Sequence, residues 1–321
     1  MSITTTSTQP AGARKAVIFC CDSRYLPYTA HAAAQIAALH PHRDFDICLC
    51  HGECPLTLPE SLASLGLRQI RVDVDGRFEG LRLDPGANHD VYLRLALPEA
   101  LRADYDRILY LDGDIFVQGG DFSRLLGVDL GAHPVAAVRD NIQWRTPERR
   151  PVQFARLGLP GTRYFNAGVV LMDTARCADM DLLGRCVDLG RREAARMIRH
   201  DQNLFNAVLQ GDWAELSPTW NWQYSWAARL LAEMRTPNVV HFIGGTKPWR
   251  DTVGDIPPRY LRTMSAFLEC HFPELPLPAV AASPMRPCSP RMVKMLLKHL
   301  VSARAMCAYL DRFEDDFSVI G

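Results

Sequence analysis

The sequence predicts an α/β fold in which helices cover a largely parallel sheet. Apolar strand-like runs and helical stretches alternate along the first 75 residues in the order strand, helix, strand, helix, strand, which is typical of α/β domains. A later run, residues 108–111, is apolar without alternation and is bounded by Arg107 and Asp112. Such a continuous run is typical of a strand that is buried on both faces of a parallel sheet.

The elements are predicted from their apolar period and from the turn residues that bound them. No Gly-x-Gly-x-x-Gly motif follows the first strand, so a dinucleotide-type phosphate loop is disfavoured. The predicted strands span residues 15–21, 45–50, 68–74, 107–114, 135–138, 165–172 and 238–243. The predicted helices span residues 28–39, 56–65, 90–101, 181–200, 201–209 and 291–310.

Composition excludes several classes of protein. The 321 residues carry 36 Lys and Arg against 36 Asp and Glu, so no overall positive field attracts nucleic acid. No run of about 18 apolar residues is present to cross a bilayer. The ten cysteines lack the regular framework of a small secreted domain, and the first residues lack the regions of a secretion signal. We therefore predict a cytoplasmic protein.

Prolines concentrate near the carboxyl end and predict a domain boundary. We predict a main domain at residues 12–271, a Pro-rich linker at residues 272–290 and a basic amphipathic helix within residues 291–321. Two interpretations of that helix stay open. It lies on a membrane surface, which would place the protein on the inner face of the cytoplasmic membrane, or it docks on the main domain.

Two carboxylates follow the central apolar run, at Asp112 and Asp114. Side chains at positions i and i+2 of a strand point the same way, so a strand that continued through Asp114 would project both carboxylates together. Adjacent carboxylates repel unless a cation neutralises them, and Mg²⁺ or Mn²⁺ fits that requirement. The alternative is a strand that ends in a solvated acidic turn, and this motif alone does not exclude it.

A second metal hypothesis concerns Cys48, Cys50, His51 and Cys54. Structural zinc sites space their paired cysteines by two to four residues, whereas one residue separates Cys48 from Cys50. The surrounding segment is typical of a buried strand in which cysteine acts as a small hydrophobe. We therefore disfavour zinc.

Polar residues end several separate apolar runs. Because strand ends in a parallel sheet meet at one crevice, we expect these side chains to lie together. His241 would then be a third metal ligand beside the two aspartates. Gly244 and Lys247 follow it at a spacing that suits a diphosphate clamp, since glycine admits close backbone approach and lysine adds charge. The residues in question are Asp22, Asp112, Asp114, Asp140, Asn166 and His241.

Six blocks in order over residues 15–250 resemble glycosyltransferase family 8, which includes bacterial lipopolysaccharide galactosyl- and glucosyltransferases and the related glycogenins. The resemblance implies a GT-A fold with a Rossmann-like, mixed and mostly parallel sheet, helices on its faces and a small helical carboxyl-terminal extension. The blocks are Phe19-Cys-Cys-Asp22 with Tyr25, Tyr92-Leu-Arg94, Leu109-Tyr-Leu-Asp112-Gly-Asp114, Tyr164-Phe-Asn166-Ala-Gly168, His200-Asp201-Gln202-Asn203 and His241-x-x-Gly244-x-x-Lys247-Pro-Trp249.

The resemblance also implies a reaction and its residues. A family member transfers a hexose with retention of configuration from a UDP-sugar, here UDP-galactose or UDP-glucose, to a saccharide or lipid-linked saccharide acceptor such as lipopolysaccharide. Mn²⁺ (or Mg²⁺) would be held by Asp112, Asp114 and His241. Asp22 would contact uracil, Gly244 and Lys247 the diphosphate, Arg94, Asp140 and Asn166 the donor sugar, and Asp201 and Gln202 the reacting sugar as the catalytic pair.

Two departures from the family pattern affect the donor site, not the metal ligands. Ser23 stands where the family often has a second acid, and Asn203 stands where it often has aspartate. Two other functions stay open. One is a nucleotidyltransferase, although residues 22–25 do not form its basic glycine-rich loop. The other is a non-catalytic binding module in which tryptophans stack on sugars, namely Trp213, Trp220, Trp222 and Trp226.

Overall fold

The computed structural model describes residues 3–52, 55–84, 89–198, 200–225, 228–278 and 288–321. Within these ranges, the strands are β1 (Thr4–Ser7), β2 (Lys15–Cys20), β3 (Asp46–His51), β4 (Arg68–Asp73), β5 (Arg107–Leu111), β6 (Ile115–Val117), β7 (Val135–Arg139), β8 (Phe165–Asp173), β9 (Ala214–Leu216), β10 (Trp222–Gln223), β11 (Val239–His241) and β12 (Val319–Ile320). The α-helices are α1 (Leu26–Leu39), α2 (Leu93–Leu101), α3 (Phe122–Leu126), α4 (Val152–Leu157), α5 (Thr174–Asp179), α6 (Leu182–Arg192), α7 (Asp201–Leu209), α8 (Arg229–Arg235), α9 (Pro258–His271) and α10 (Pro290–Leu310). Tighter 3₁₀ turns occupy Glu60–Leu65, His89–Tyr92, Ala194–Arg196, Pro218–Trp220 and Pro248–Arg250.

The main sheet has nine strands in the order β1-β4-β3-β2-β5-β8-β7-β9-β12. Six of them, β2, β3, β4, β5, β7 and β9, run in one direction, while β1, β8 and β12 run against it. The predicted mixed, mostly parallel sheet is therefore confirmed. A second sheet has three strands in the order β10-β11-β6.

Alternating side chains of the central strands enter two different apolar cores. In β5, Leu109 and Leu111 pack into one core, and Ile108 and Tyr110 pack into the other. The first core contains the apolar face of α1, and the second contains those of α2, α6 and α7. Because an apolar core covers each face of β5, none of its side chains faces water, which explains the continuous apolar run.

The cysteines of β3 behave as hydrophobes. Cys48 and Cys50 are fully buried in the second core, and burial raises the pKa of the Cys48 thiol to about 12, so both are protonated packing groups. Cys54, the last residue of the disfavoured zinc hypothesis, lies outside the described residues.

Tryptophans pack inside the protein, which disfavours their use as a sugar-stacking surface. Trp213 lies in the second core, and Trp220 and Trp222 lie in the first, each with no exposed surface. An aromatic ring must present a free face to stack on a sugar, and these three rings present none. Trp226, the fourth tryptophan of the binding-module hypothesis, lies outside the described residues.

Three predicted elements differ in the structure. The strand predicted to run through Asp114 ends at Leu111, and the chain turns there before β6 begins. Of the helix predicted at residues 56–65, only the 3₁₀ turn Glu60–Leu65 forms. The helix predicted at residues 181–200 ends at Arg192 and is followed by a separate 3₁₀ turn. Local apolar period predicts the presence of an element better than its ends.

The carboxyl-terminal helix is confirmed as α10 and is capped by Ser289, whose hydroxyl accepts from the Met292 amide at 3.2 Å. Beyond it, the chain returns to the main sheet, because β12 pairs with β9 at the sheet edge. About half of the predicted linker, residues 279–287, lies outside the described residues. The domain boundaries therefore stay a prediction, and residues 319–320 belong to the sheet.

Candidate active site

Three polar side chains meet at one edge of the main sheet. Asp112 follows β5, Asp140 follows β7, and Asn166 is the second residue of β8. The prediction assigned Asn166 to the carboxyl end of a parallel strand, and that reason is wrong. Because β8 runs antiparallel to both β5 and β7, its amino end reaches the edge where the other two strands finish.

Asp112, Asp114 and His241 form a compact trio. Their ligand atoms all lie within 4.8 Å of one another, and Nε2 of His241 is 3.6 Å from Oδ2 of Asp112 and 3.2 Å from Oδ1 of Asp114. His241 ends β11, where it pairs with Ile115, the residue after Asp114. The second sheet thus supplies the histidine, and the main sheet supplies the first aspartate.

The trio fits a divalent cation. Two carboxylates and one imidazole nitrogen form a donor set suited to Mn²⁺ or Mg²⁺. Oδ1 of Asp114 is buried, and apart from Nε2 of His241, 3.2 Å away, it has no polar partner among the described residues, as expected of an oxygen that can bind a metal. Nδ1 of His241 lies 3.0 Å from Oδ1 of Asn221. An Nδ1–H donating to that oxygen would leave Nε2 free to bind a metal.

Asp114 carries a negative charge that its neighbours stabilise. Nζ of Lys247 contacts Oδ2 of Asp114 and donates to the carbonyl of Phe242 at 2.5 Å. Burial alone would raise the pKa of Asp114, but its interactions with His241 and Lys247 outweigh burial and hold that pKa well below its usual value. Asp114 is therefore ionised, as a metal ligand must be.

Arg94 on α2 holds three partners at once. Its Nη2 lies 2.9 Å from Oδ1 of Asp112, its Nε lies 2.9 Å from Oδ2 of Asp201, and its Nη1 donates to the Ala167 carbonyl at 2.9 Å. The planar guanidinium also lies over the ring of Tyr110, with Cζ 4.3 Å from the centroid. Burial raises the pKa of Asp201, and Arg94 opposes that rise. Asp201 thus fixes Arg94 against the trio.

A chain of amide hydrogen bonds joins Gln202 to the histidine. Nε2 of Gln202 donates to Asp140 at 3.2 Å, and its Oε1 accepts from Nδ2 of Asn166 at 3.3 Å. Oδ1 of Asn166 accepts from Asn221 at 2.9 Å, and Asn221 contacts His241. Sequence reasoning missed Asn221, which is fully buried. The sequence feature that could have identified Asn221 is its position between Trp220 and Trp222.

A cleft of about 490 Å³ opens beside the two aspartates. Asp22 shapes its wall, because Oδ1 accepts from the amides of Arg24 and Tyr25, both at 3.0 Å. Tyr28 and Trp249 stack there with ring centroids 3.8 Å apart, and sequence reasoning missed Tyr28. Gly244 does not line this cleft and lies on an exposed loop with φ +79°. Other residues that line the cleft are Cys20, Cys21, Asp90, Val91, Arg94, Tyr110, Asp112, Gly113, Asp114 and Arg250.

The mixed sheet, the helices on both faces and the trio at the strand ends together define a GT-A type fold. The chain belongs to glycosyltransferase family 8, because the family described as Glycosyl transferase family 8 matches residues 16–253. Galactosyltransferase LgtC, solved with donor and acceptor sugar analogues, superposes with a TM-score of 0.62 at 24% identity and covers 78% of this chain and 95% of LgtC. At that identity, the likeness supports the fold alone.

Curated relatives have similar sequences over part of their length. Glycosyltransferase GlyF of Streptococcus pneumoniae is 24% identical over 251 residues, which are 74% of this chain and 57% of GlyF. Lipopolysaccharide glucosyltransferase WaaO of Escherichia coli is 29% identical over 53% of this chain and 51% of WaaO. Lipopolysaccharide 1,3-galactosyltransferase of Salmonella typhimurium is 28% identical over 54% of this chain and 53% of that enzyme. The chain therefore spans little more than half the length of these relatives.

Proposed function

We propose that the protein is a metal-dependent retaining hexosyltransferase that moves galactose or glucose from a UDP-sugar to a hydroxyl of a saccharide acceptor. The observation that carries this proposal is the trio of Asp112, Asp114 and His241 beside the 490 Å³ cleft. The cleft is large enough for a nucleotide-sized ligand. Membership of glycosyltransferase family 8 supports the reaction class.

The cleft offers groups suited to each part of the donor. The stacked Tyr28 and Trp249 provide aromatic surface for a base, and Asp22 provides a carboxylate acceptor for its N–H. Arg250 lines the same cleft and offers positive charge to a phosphate, whereas the guanidinium of Arg24 is paired with Asp22 at 2.6 Å. We assign the uracil and ribose to the part of the cleft that Asp22, Tyr28 and Trp249 line.

The diphosphate is assigned to the edge where the trio lies. Asp112, Asp114 and His241 would hold Mn²⁺ (or Mg²⁺), which supplies positive charge to the leaving diphosphate as its negative charge grows. Lys247 adds a fixed positive charge beside Asp114. The exposed backbone of Gly244, which has no side chain, is open to a phosphate oxygen.

The donor sugar is assigned to the amide chain. Asp140 and Asn166 hold both ends of the Gln202 amide, so the amide cannot rotate freely, and Arg94 is fixed by Asp201. An amide is a poor nucleophile, so we favour attack by the acceptor hydroxyl on the face from which UDP leaves. The bond from the anomeric carbon to phosphate breaks, the bond to the acceptor oxygen forms, and the hydroxyl proton passes to the departing phosphate oxygen.

The test is release of UDP from UDP-galactose and UDP-glucose, with water or an added neutral saccharide receiving the hexose, measured by mass spectrometry with Mn²⁺ and with a chelator. We expect release that requires the metal, because the two carboxylates would otherwise repel the diphosphate. Asp112→Ala should abolish it, whereas Gln202→Ala should be slow yet retain UDP affinity. A wild-type protein that binds UDP-sugars and releases no UDP would be a binding module and would refute the proposal.

We further propose a cytoplasmic enzyme whose acceptor is lipopolysaccharide or another surface glycan, reached through contact of α10 with the membrane. The names of WaaO and the Salmonella galactosyltransferase support the acceptor class. Two faces of α10 differ: Met306 and Tyr309 are buried against the main domain, whereas Leu300 and Val301 are 70% and 86% exposed. Lys298 adds positive charge beside them. Among the described residues, no helix is both long and apolar enough to cross a membrane.

Vesicle flotation tests the membrane contact. Leu300→Glu with Val301→Glu should reduce binding to anionic vesicles at least about tenfold, since both apolar contact and charge attraction would be lost. Deleting residues 286–321 is a poorer test, because it removes β12 and the Tyr309 hydroxyl that donates to buried Glu215. Equal flotation of the wild type and the double variant would contradict the contact.

A further inference from the structure

A second cleft, of about 290 Å³, lies between the loop after β7, the segment after β10, and α10. Three of the described side chains that line it, those of Arg145, Arg149 and Lys298, are positively charged, and none of the described lining side chains is acidic. Its apolar wall includes Trp144 and Met306, each only 1% exposed. We call it the cationic cleft.

None of the three cations lies within 4.0 Å of a carboxylate oxygen in the part of the chain that the structure describes. Neither Arg145, Arg149 nor Lys298 forms an ion pair with any residue in those ranges. Arg139, which ends β7 just before the same loop, is by contrast paired with buried Glu215 at 2.7 Å. All three side chains are exposed, and cations that line one cleft without ion pairs attract an anion from outside.

The cationic cleft adjoins the candidate reaction centre through the backbone. Asn141 lines the cleft and directly follows Asp140, which accepts from Gln202. The Asn141 amide donates to Oε1 of Gln223 at 2.8 Å, and Gln223 pairs with His241 in the second sheet. The cleft therefore begins one residue along the chain from Asp140, a proposed donor-sugar residue.

We propose that the cationic cleft binds a phosphate group carried by the acceptor saccharide. This inference rests on the proposed function and names the acceptor class. A phosphate monoester carries a charge of about −1.5 to −2 at neutral pH, which two guanidinium groups and one ammonium group can balance. Guanidinium matches phosphate oxygens in paired hydrogen bonds. The phosphate would hold the acceptor while a hydroxyl of the same or the next sugar faces the donor.

The probes are glucose, galactose and mannose and their 6-phosphates, titrated into the 321-residue protein by calorimetry in the presence of UDP and Mn²⁺. We expect at least one 6-phosphate to bind at least about tenfold more tightly than its neutral sugar, and high salt to weaken that binding. Arg145→Gln with Arg149→Gln should remove the preference at an unchanged melting temperature. Arg156→Gln is the matched control, since Arg156 is exposed on α4 and does not line the cleft.

Equal binding of every sugar and its 6-phosphate would overturn the inference, and so would a preference that survives in the double variant. Failure of the proposed function has a different signature. It would be the absence of UDP release from UDP-galactose and UDP-glucose by the wild type, an assay that contains no hexose phosphate.

Discussion

Gly168→Ala should disable the proposed metal site although it replaces none of the three candidate ligands. An added Cβ would lie 2.2 Å from Cε1 of His241, 2.6 Å from its Nδ1 and 2.8 Å from Oδ2 of Asp112. Ordinary contact begins at 3.4 Å, so the imidazole would have to move by about 1.2 Å, which breaks its contact with Asn221. A displacement of about 1 Å can cost about 100-fold in rate, and loss of a group that orients a ligand costs about 10- to 100-fold in metal affinity.

The assays are Mn²⁺ titration by calorimetry and UDP release under saturating UDP-sugar. We expect Mn²⁺ affinity to fall about 10- to 100-fold and UDP release to fall at least about 100-fold, with a stability loss of about 1–3 kcal/mol from overpacking. Gly119→Ala is the matched control, because its added Cβ would meet only Oδ1 of Asn238, at 3.8 Å, among the described residues. If Gly168→Ala bound Mn²⁺ as tightly as Gly119→Ala, the close packing of β8 against the trio would have no functional role.

Three further predictions concern buried ionisable side chains. Asp114→Asn keeps the shape of a ligand and removes its charge, so Mn²⁺ binding by calorimetry should be lost while circular dichroism is unchanged; retained affinity would exclude Asp114 as a ligand. Glu215→Gln leaves buried Arg139 without the carboxylate 2.7 Å away, so the free energy of unfolding in urea should fall by about 3–5 kcal/mol, and a loss below about 1 kcal/mol would contradict this account. Burial lowers the pKa of His31 to about 4, and neither ring nitrogen has a hydrogen-bond partner in the described part of the chain. The unfolded chain protonates His31 near pH 6.5, whereas the folded protein keeps it neutral until about pH 4. The free energy of unfolding is therefore unaffected by His31 above pH 6.5 and falls by about 3 kcal/mol as the pH falls from 6.5 to 4. In His31→Phe, the free energy of unfolding measured in urea should fall less between pH 7 and 4. An unchanged fall would show that other groups cause the acid sensitivity.

The position of Glu215 explains why the carboxyl-terminal residues, including Tyr309 and Arg312, contribute to the fold. Its carboxylate accepts from the Tyr309 hydroxyl at 2.9 Å and lies 3.2 Å from Nη2 of Arg312. Arg139, on the other side, directly precedes Asp140 at the sheet edge. The carboxyl-terminal residues therefore help to neutralise a charge buried next to the strand that positions a candidate donor-sugar residue.

The sequence by itself determined the type of the central elements and the place of the first candidate ligand, Asp112. Continuous apolar residues in β2, β3 and β5 indicate burial on both faces, which depends only on the alternation of side chains along a strand. Asp112 ends such a run, so its position at a sheet edge follows from local pattern. His241 also ends an apolar run, which made it a candidate third ligand, and the resemblance to glycosyltransferase family 8 supported that assignment.

The tertiary structure alone decided which strands are neighbours and which way they run. The reversed direction of β8 brings Asn166 to the edge, the second sheet delivers His241, and buried Asn221 links the two. Each of these depends on pairing between segments that are far apart in the chain. An apolar run specifies that a strand is buried, but its hydrogen bonds can be satisfied by a neighbour in either direction. The choice is made by packing of the whole sheet, and the position of the site is decided with it.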